Sequence, residues 1–313
     1  MGVPEVASVE AAKLVEAAAL AAQGQQYPAG ALYVVATPIG NLADVTLRAV
    51  HVLGLVDAIA CEDTRHSAAL LGRLAITKPL IAAHAHNERS AAAAVLERLA
   101  RGERVAYVSD AGTPAVSDPG AELVAAARAA GHRVVPIPGA SSALAALSVA
   151  GDVAAAAFTV VGFLPARGGE RARAVAAVAR QRDAQILFEA PHRIESLAAS
   201  LAAACAERRV TICRELTKQF EAIETMPARG LPEWLAADAN RSRGEFVIVL
   251  HALALAGEPS ASTHDALLAP LLAALPLRQA VALAAEIGGA PRNLLYARAL
   301  ELRAAGPRED EPA

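Results

Sequence analysis

Short apolar runs and longer amphipathic stretches alternate through most of this chain. Leu32–Ala36, Ala58–Cys61, Leu80–Ala83, Val105–Val108 and Val134–Ile137 are apolar runs of the kind that form strands buried on both faces. Helical patterns lie between them. Asp44 stands where it can cap a helix with Leu47, Val50 and Leu53 on one face. A second helix runs to about Leu74, Ser90 caps one that ends at Gly102, and a fourth ends at Gly131. The rhythm predicts a mostly parallel sheet with helices on both sides. A second series starts near Phe158, with strands at Phe158–Gly162, Gln185–Phe188, Val210–Arg214 and Glu245–Leu250 and helices near 170–180, 193–204 and 231–238. Ala254–Ser262 reads as a linker. Beyond it, Leu277–Ile287 and Asn293–Leu302 are helices around Gly288-Gly289-Ala290-Pro291, with Pro270 and Pro276 as breaks; a helix-turn-helix and a plain helical hairpin both fit. The expected organisation is a mobile tail with at most a frayed helix (1–30), an N-terminal α/β domain (31–137), a C-terminal α/β domain (138–256) and a helical extension with its tail (257–313). The fold class is therefore α/β, two α/β domains with mostly parallel sheets plus a small C-terminal helical unit.

Composition adds bounds. The 313 residues are 55% hydrophobic, enough for more than one core, and much of that is the helix-former Ala. The net charge of −3 carries no global signal for nucleic acid, so such a site must be a local patch. Residues 163–218 hold ten basic and six acidic side chains, a modest patch of that kind. Cys61, Cys205 and Cys213 have no metal spacing, which fits free thiols in a reducing, cytoplasmic setting. No apolar run has the length of a membrane span, and no secretion signal is expected at the N-terminus.

The chemistry gathers at strand ends. T-P-I-G-N (Thr37–Asn41), E-D-T-R (Glu62–Arg65), H-A-H-N-E (His84–Glu88) and V-S-D-A-G-T-P-A-V-S-D-P-G (Val108–Gly120) each follow a strand. Parallel strands end on one edge, so these clusters converge in space. The last is long and rich in small residues that let a ligand approach the backbone. Its Asp110 and Asp118 can bind hydroxyl or amino groups or a cation. Ser141 and Ser142 open a helix, as caps or as amides facing a carboxylate. Further clusters are G-F-L-P (Gly162–Pro165), E-A-P-H-R (Glu189–Arg193) and R-E-L-T-K (Arg214–Lys218). Neither a dinucleotide-binding glycine fingerprint nor a Walker loop is present, and no G-x-S-x-G elbow. His84 and His86 share a face on an extended chain, but hydrogen bonding suits them better than a metal, and no metal is expected.

In order, T-P-I-G-N-L-A-D-V-T-L-R-A, E-D-T-R-H, H-A-H-N-E, the Val108–Gly120 loop, P-G-A-S-S-A-L-A-A-L, G-F-L-P, F-E-A-P-H-R, R-E-L-T-K and R-G-E-F-V closely resemble the ribosomal RNA small subunit methyltransferase I family, a branch of the tetrapyrrole-methylase-like, class III S-adenosylmethionine methyltransferases. The resemblance covers about Leu32–Leu302. It implies 2′-O-methylation of a cytidine ribose in the decoding region of 16S rRNA, two α/β domains with S-adenosylmethionine between them, and a homodimer acting on 16S rRNA or the small ribosomal subunit. It implies a cofactor site at Asp110, Ala111, Gly112, Thr113, Val116, Ser141, Ser142 and Glu189. Relatives acting on tetrapyrroles often carry G-D where this chain has Gly40-Asn41, so their proposed base has no direct counterpart. A ribose hydroxyl benefits from a group that takes its proton, and Asp63 and Glu189 are the candidates. Arg65, Arg193, Arg214 and Lys218 stand at strand ends where they can hold RNA phosphates. Two other readings fit the same residues: a small-molecule methyltransferase of the superfamily, and a non-catalytic RNA-binding ribosome-assembly factor.

Overall fold

The computed structural model describes residues 5–84, 87–253 and 264–305. They form two compact units, Met1–Ala252 and Leu253–Ala313. His86 and the Ala254–Ser262 stretch lie outside the described residues.

The first unit starts with α1 (Glu5–Ala22), then β1 (Ala31–Val35), α2 (Leu47–Leu55), β2 (Ala58–Cys61), α3 (Thr64–Arg73), β3 (Leu80–Ala82), α4 (Glu88–Ala100), β4 (Val105–Val108), α5 (Ala121–Ala129) and β5 (Arg133–Ile137). The five strands form an all-parallel sheet in the order β3-β2-β4-β1-β5. Alternate side chains fill two cores. Tyr33, Val35, Ile59 and Val108 pack with α2 and α3 on one face, while Leu32, Ala60, Val105 and Tyr107 pack with α4 and α5 on the other. Burial on both faces is why these strands read as continuous apolar runs.

The N-terminal segment corrects the expectation of a mobile tail. Residues 5–22 are helical, Ala11, Ala18 and Ala22 are buried, and Leu14 and Val15 pack on the core of the first sheet. Small alanines make this contact, so no strong apolar stripe marked it in the sequence.

After α6 (Ser142–Ala150) the second sheet is built from β6 (Phe158–Phe163), α7 (Gly168–Arg180), β7 (Ala184–Glu189), α8 (Ile194–Ala204), β8 (Arg209–Arg214), β9 (Ala222–Pro227), α9 (Leu231–Ala236) and β10 (Phe246–Leu250). The order is β6-β7-β10-β8-β9. Here the sheet is mixed where a mostly parallel one was expected. β6 and β7 are parallel, but β10 is antiparallel to both β7 and β8, and β9 is antiparallel to β8. The β-α-β rhythm does set direction: β6, β7 and β8 all run the same way. It does not set adjacency, and β10 returns between β7 and β8. β9 escaped the sequence reading because it is a half-exposed edge strand with no apolar run. Helices α7, α8 and α9 cover one face of this sheet. α6 covers the other through Ala143, Ala146 and Ala150, and Ile39 from the loop after β1 joins that core.

The second unit is α10 (Asp265–Ala274), α11 (Leu277–Gly288) and α12 (Arg292–Ala305). Pro276 precedes α11 as expected, but Pro270 lies inside α10 and does not break it. Leu267, Leu268, Leu271 and Leu272 bury the helix around it, and that packing offsets the lost hydrogen bond. Gly289 ends α11 in the left-handed conformation, with Ala290 buried under the turn. Among the described residues no helix is long and apolar enough to cross a membrane.

Candidate active site

β1 and β4 are neighbours, yet the chain leaves β1 for α2 on one face of the sheet and leaves β4 for α5 on the other. Their two loops therefore part and leave a crevice at the carboxyl ends of the strands, where open α/β sheets bind ligands. The loops are pinned at its floor. Thr37 N–H donates to the Gly112 carbonyl at 2.8 Å, and Gly112 N–H returns to the Thr37 carbonyl at 3.1 Å. The Thr113 hydroxyl donates to the Ala140 carbonyl at 3.0 Å, which ties this loop to the turn before α6.

Above the crevice lies a cavity of about 350 Å³. Ala111, Gly112, Thr113, Val116, Ser117 and Asp118 form one wall, and Ser141 and Ser142 a second. Phe163, Phe188, Glu189, Leu216 and Val247 bring the second sheet to it, and Ile39 contributes from the loop after β1. Gly112 has φ +82°, and a Cβ there would lie 3.3 Å from Ile39 Cγ2, so a side chain would strain the backbone and crowd the wall. Ala115 and Ser117 in the same loop, and Glu215 and Thr217 in the turn after β8, also hold positive φ without being glycine. Such strain concentrates where a loop must present its backbone in one shape.

Seven of the residues expected at a cofactor, Ala111, Gly112, Thr113, Val116, Ser141, Ser142 and Glu189, line this one cavity. Asp110 does not. Its carboxylate accepts the Asp63 N–H at 3.1 Å and lies 3.5 Å from His66 Nδ1, so it braces the strand end after β2.

The two carboxylates expected to take a proton are both engaged. Asp63 caps α3: Oδ1 accepts the Arg65 N–H at 2.8 Å, and Oδ2 pairs with the Arg65 guanidinium at 2.8 Å. Those hydrogen bonds hold its carboxyl well below the usual range. The Glu189 side chain is fully buried, with Arg171 at 3.2 Å, Arg193 Nε at 2.9 Å and the Ala190 N–H at 3.0 Å. Each carboxylate already accepts from protein donors at both of its oxygens.

Three of the four cations expected to hold phosphates are also engaged by partners within the protein. Arg193 donates to the Leu164 carbonyl at 2.6 Å besides pairing with Glu189. Arg214 donates to the Arg243 and Phe220 carbonyls at 2.6 and 2.9 Å. Lys218 Nζ lies between Glu215 and Glu245 at 2.9 and 2.7 Å. These side chains clamp strand ends together, a role that depends on partners distant in sequence. Arg65 differs, with 90% of its side chain exposed.

Asp118, read in the sequence as a ligand for hydroxyl or amino groups or a cation, was not among the candidates for taking a proton. It lines the cavity, and among the described residues no Arg or Lys pairs with it. Burial raises its pKa to about 6, the Glu62 carboxylate adds to the rise, and a hydrogen bond from Ser109 opposes it. Glu62 is itself raised by burial and by Asp110. Of the cavity's carboxylates, Glu189 is held by two arginines and Glu245 by Lys218, which leaves Asp118 as the acid able to exchange a proton near neutrality. The signal in the sequence was the second Asp of the loop after β4; its lack of a cationic partner was not visible there.

Comparison with known proteins agrees with this fold. Residues 31–232 match the model of the Tetrapyrrole (Corrin/Porphyrin) Methylases, and residues 258–303 match the RsmI C-terminal HTH domain. The chain is 48% identical over 276 residues to the ribosomal RNA small subunit methyltransferase I of Pseudomonas aeruginosa, covering 87% of this chain and 98% of that one. It is 45% identical over 273 residues to the protein of the same name from Escherichia coli O157:H7, covering 87% and 95%. Among solved structures, cobalt precorrin-4 methyltransferase shares the fold at a TM-score of 0.54 and 17% identity, over 72% of this chain and 98% of that one. The uroporphyrin-III C-methyltransferase of Thermus thermophilus, solved with S-adenosylhomocysteine, does so at 0.51 and 17%, over 70% and 96%.

Proposed function

The chain belongs to the ribosomal RNA small subunit methyltransferase I family within the tetrapyrrole methylases, and from that premise we propose that it methylates the 2′-hydroxyl of a cytidine ribose in the decoding region of 16S rRNA, with S-adenosylmethionine as donor. The observation that carries the reading is the cavity at the switch point of the first sheet, closed by the second sheet and holding one unpaired carboxylate, Asp118.

The cavity suits the cofactor. Its volume is within the range of small-molecule sites, and Ile39, Phe163, Phe188 and Val247 offer apolar wall for a purine. Gly112 keeps the loop backbone open to close approach, and Ser141 and Ser142 offer hydroxyls and amides for a carboxylate. When bound, S-adenosylmethionine supplies an electrophilic methyl on a sulfonium. The protein's part is alignment of the acceptor and custody of its proton. In this reading Asp118 accepts the 2′-hydroxyl proton, and the Ala111–Thr113 backbone with Ser141 and Ser142 holds the donor. Glu189, with Arg171 and Arg193, keeps the second sheet's wall in place. Arg65 reaches toward RNA phosphate from the exposed start of α3.

A homodimer is part of the proposal. Leu144 and Val149 on α6, Val153 after it and Phe158 at the start of β6 are exposed apolar side chains that a second copy would cover. A cytoplasmic location follows from the substrate.

The test is transfer of labelled methyl from S-adenosylmethionine, offered small ribosomal subunits, naked 16S rRNA and a uroporphyrinogen-type tetrapyrrole in parallel. Label in ribosomal RNA is the expected result. Label in the tetrapyrrole alone would replace this function with small-molecule methylation. Absence of label from all three, with RNA bound, would leave a non-catalytic assembly factor.

A further inference from the structure

The second unit carries a groove that the methyl-transfer site does not use. Three residues from the start of α11, Arg278, Val281 and Ala282, form one side at helical spacing. Arg292, Asn293 and Tyr296 from the first turns of α12 form the other. The groove encloses about 350 Å³, and Arg278, Arg292, Asn293 and Tyr296 are all exposed.

Its charge is one-sided. No carboxylate lines it. Elsewhere in the unit Arg298 holds Asp265 through two hydrogen bonds of 2.9 and 2.6 Å and Glu301 through one of 2.7 Å. That arginine therefore neutralises acids instead of reaching outward. Arg278, Arg292 and Arg303 are left against Glu286 among the described residues. The groove thus presents two guanidinium groups, an amide and an exposed aromatic ring on a rigid two-helix frame. Guanidinium groups match phosphate oxygens through paired N–H donors, and a tyrosine face stacks on any base. An acidic protein surface would satisfy the arginines but would leave the ring without a flat partner. The second helix of a helix-turn-helix is the one that meets nucleic acid, and here it supplies three of the six lining residues.

We propose that this groove is an RNA-binding surface, in which Arg278 and Arg292 hold backbone phosphates, Tyr296 stacks on an unpaired base and Asn293 bonds to its edge or ribose. The choice of RNA rests on the ribosomal RNA reading above. The surface adds affinity for the RNA substrate.

The full-length protein tests this. Affinity for a naked 16S rRNA fragment and for small subunits is measured against salt concentration, with circular dichroism to monitor folding. Arg278→Glu combined with Arg292→Glu is expected to weaken naked-RNA binding by about tenfold or more, and to shrink the salt slope by about 1.4–1.8, two phosphate contacts. Arg278→Gln with Arg292→Gln should give the same direction and remains informative where charge reversal disturbs folding. Tyr296→Ala should cost about fivefold or more and Tyr296→Phe should restore binding, because the ring and not the hydroxyl stacks. Arg303→Glu, outside the groove, should stay within about twofold if the groove and not general attraction is at work. S-adenosylmethionine affinity should be unchanged in every variant. Unaltered naked-RNA affinity in both double variants would overturn the proposal. So would a loss seen only with assembled subunits, which would assign the groove to a ribosomal protein. A parent protein that binds RNA through this groove but methylates none would overturn the methylation reading and leave this one standing.

Discussion

Asp118→Asn should separate chemistry from folding. The substitution keeps size and removes charge. Burial and Glu62 raise Asp118 from the ordinary 3.8 to about 6. The folded protein therefore holds this proton more tightly than the unfolded chain does. The stability that comes from the protonated acid is complete below about pH 4 and is lost as pH rises through about 6. At pH 7 the folded state carries a charge in a half-buried site. A shift of about two units corresponds to about 3 kcal/mol. The side chain is partly exposed to water, which reduces this to about 1–2 kcal/mol. The variant should thus be more stable than the parent by about 1–2 kcal/mol at pH 7 and equal to it near pH 4. Its turnover should fall about a hundredfold or more, as expected for loss of a general base. The parent's single-turnover rate should drop tenfold per pH unit below about 6, and the residual rate of the variant should not. Urea unfolding at the two pH values and rapid-quench methyl transfer measure all three quantities. A variant that is destabilised at pH 7, or one that turns over normally, would refute the assignment of a proton acceptor.

Other substitutions test the remaining parts. Glu189→Gln leaves two inward-facing guanidinium groups without their carboxylate and should cost about 3–5 kcal/mol of stability, read from denaturant unfolding. Lost turnover at unchanged stability would return Glu189 to the chemistry. Gly112→Val forces a β-branched residue to φ +82° and should weaken S-adenosylmethionine binding about tenfold or more by calorimetry; unchanged affinity would remove this loop from the cofactor site. Arg65→Ala should shrink the salt slope of RNA binding by about 0.7–0.9 and barely move stability. Arg193→Ala should do the reverse, because its guanidinium holds Glu189 and the Leu164 carbonyl.

Much of the site was legible because polar clusters interrupt apolar runs, and parallel strands of the first sheet place their ends together. The loop after β4 was legible for a further reason, its concentration of Gly, Pro, Ser and Asp. Partnership was not legible. Arg193, Arg214 and Lys218 look like phosphate ligands along the chain, but their hydrogen bonds go to Leu164, Phe220, Arg243, Glu215 and Glu245. Asp63 and Glu189 looked basic for the same reason, since a carboxylate's pKa depends on neighbours that only tertiary structure supplies. Asp118 is the converse, an acid whose distinction is the cation it lacks. In the second half, the common direction of β6, β7 and β8 followed from the helical crossovers, but the antiparallel run of β10 did not, because the reversal at β9 left no apolar run to show it. Nor did adjacency, because inserting β10 between β7 and β8 changes no local pattern.

The atom that receives the methyl group tests the central claim most directly. Small-subunit RNA methylated by this protein is digested to nucleosides, and the labelled product is identified by mass spectrometry beside synthetic standards. The expected product is 2′-O-methylcytidine from one position, with the adjoining phosphodiester resistant to alkali because its 2′-hydroxyl is blocked. A methyl on the base, or an alkali-sensitive bond at the labelled residue, would contradict it.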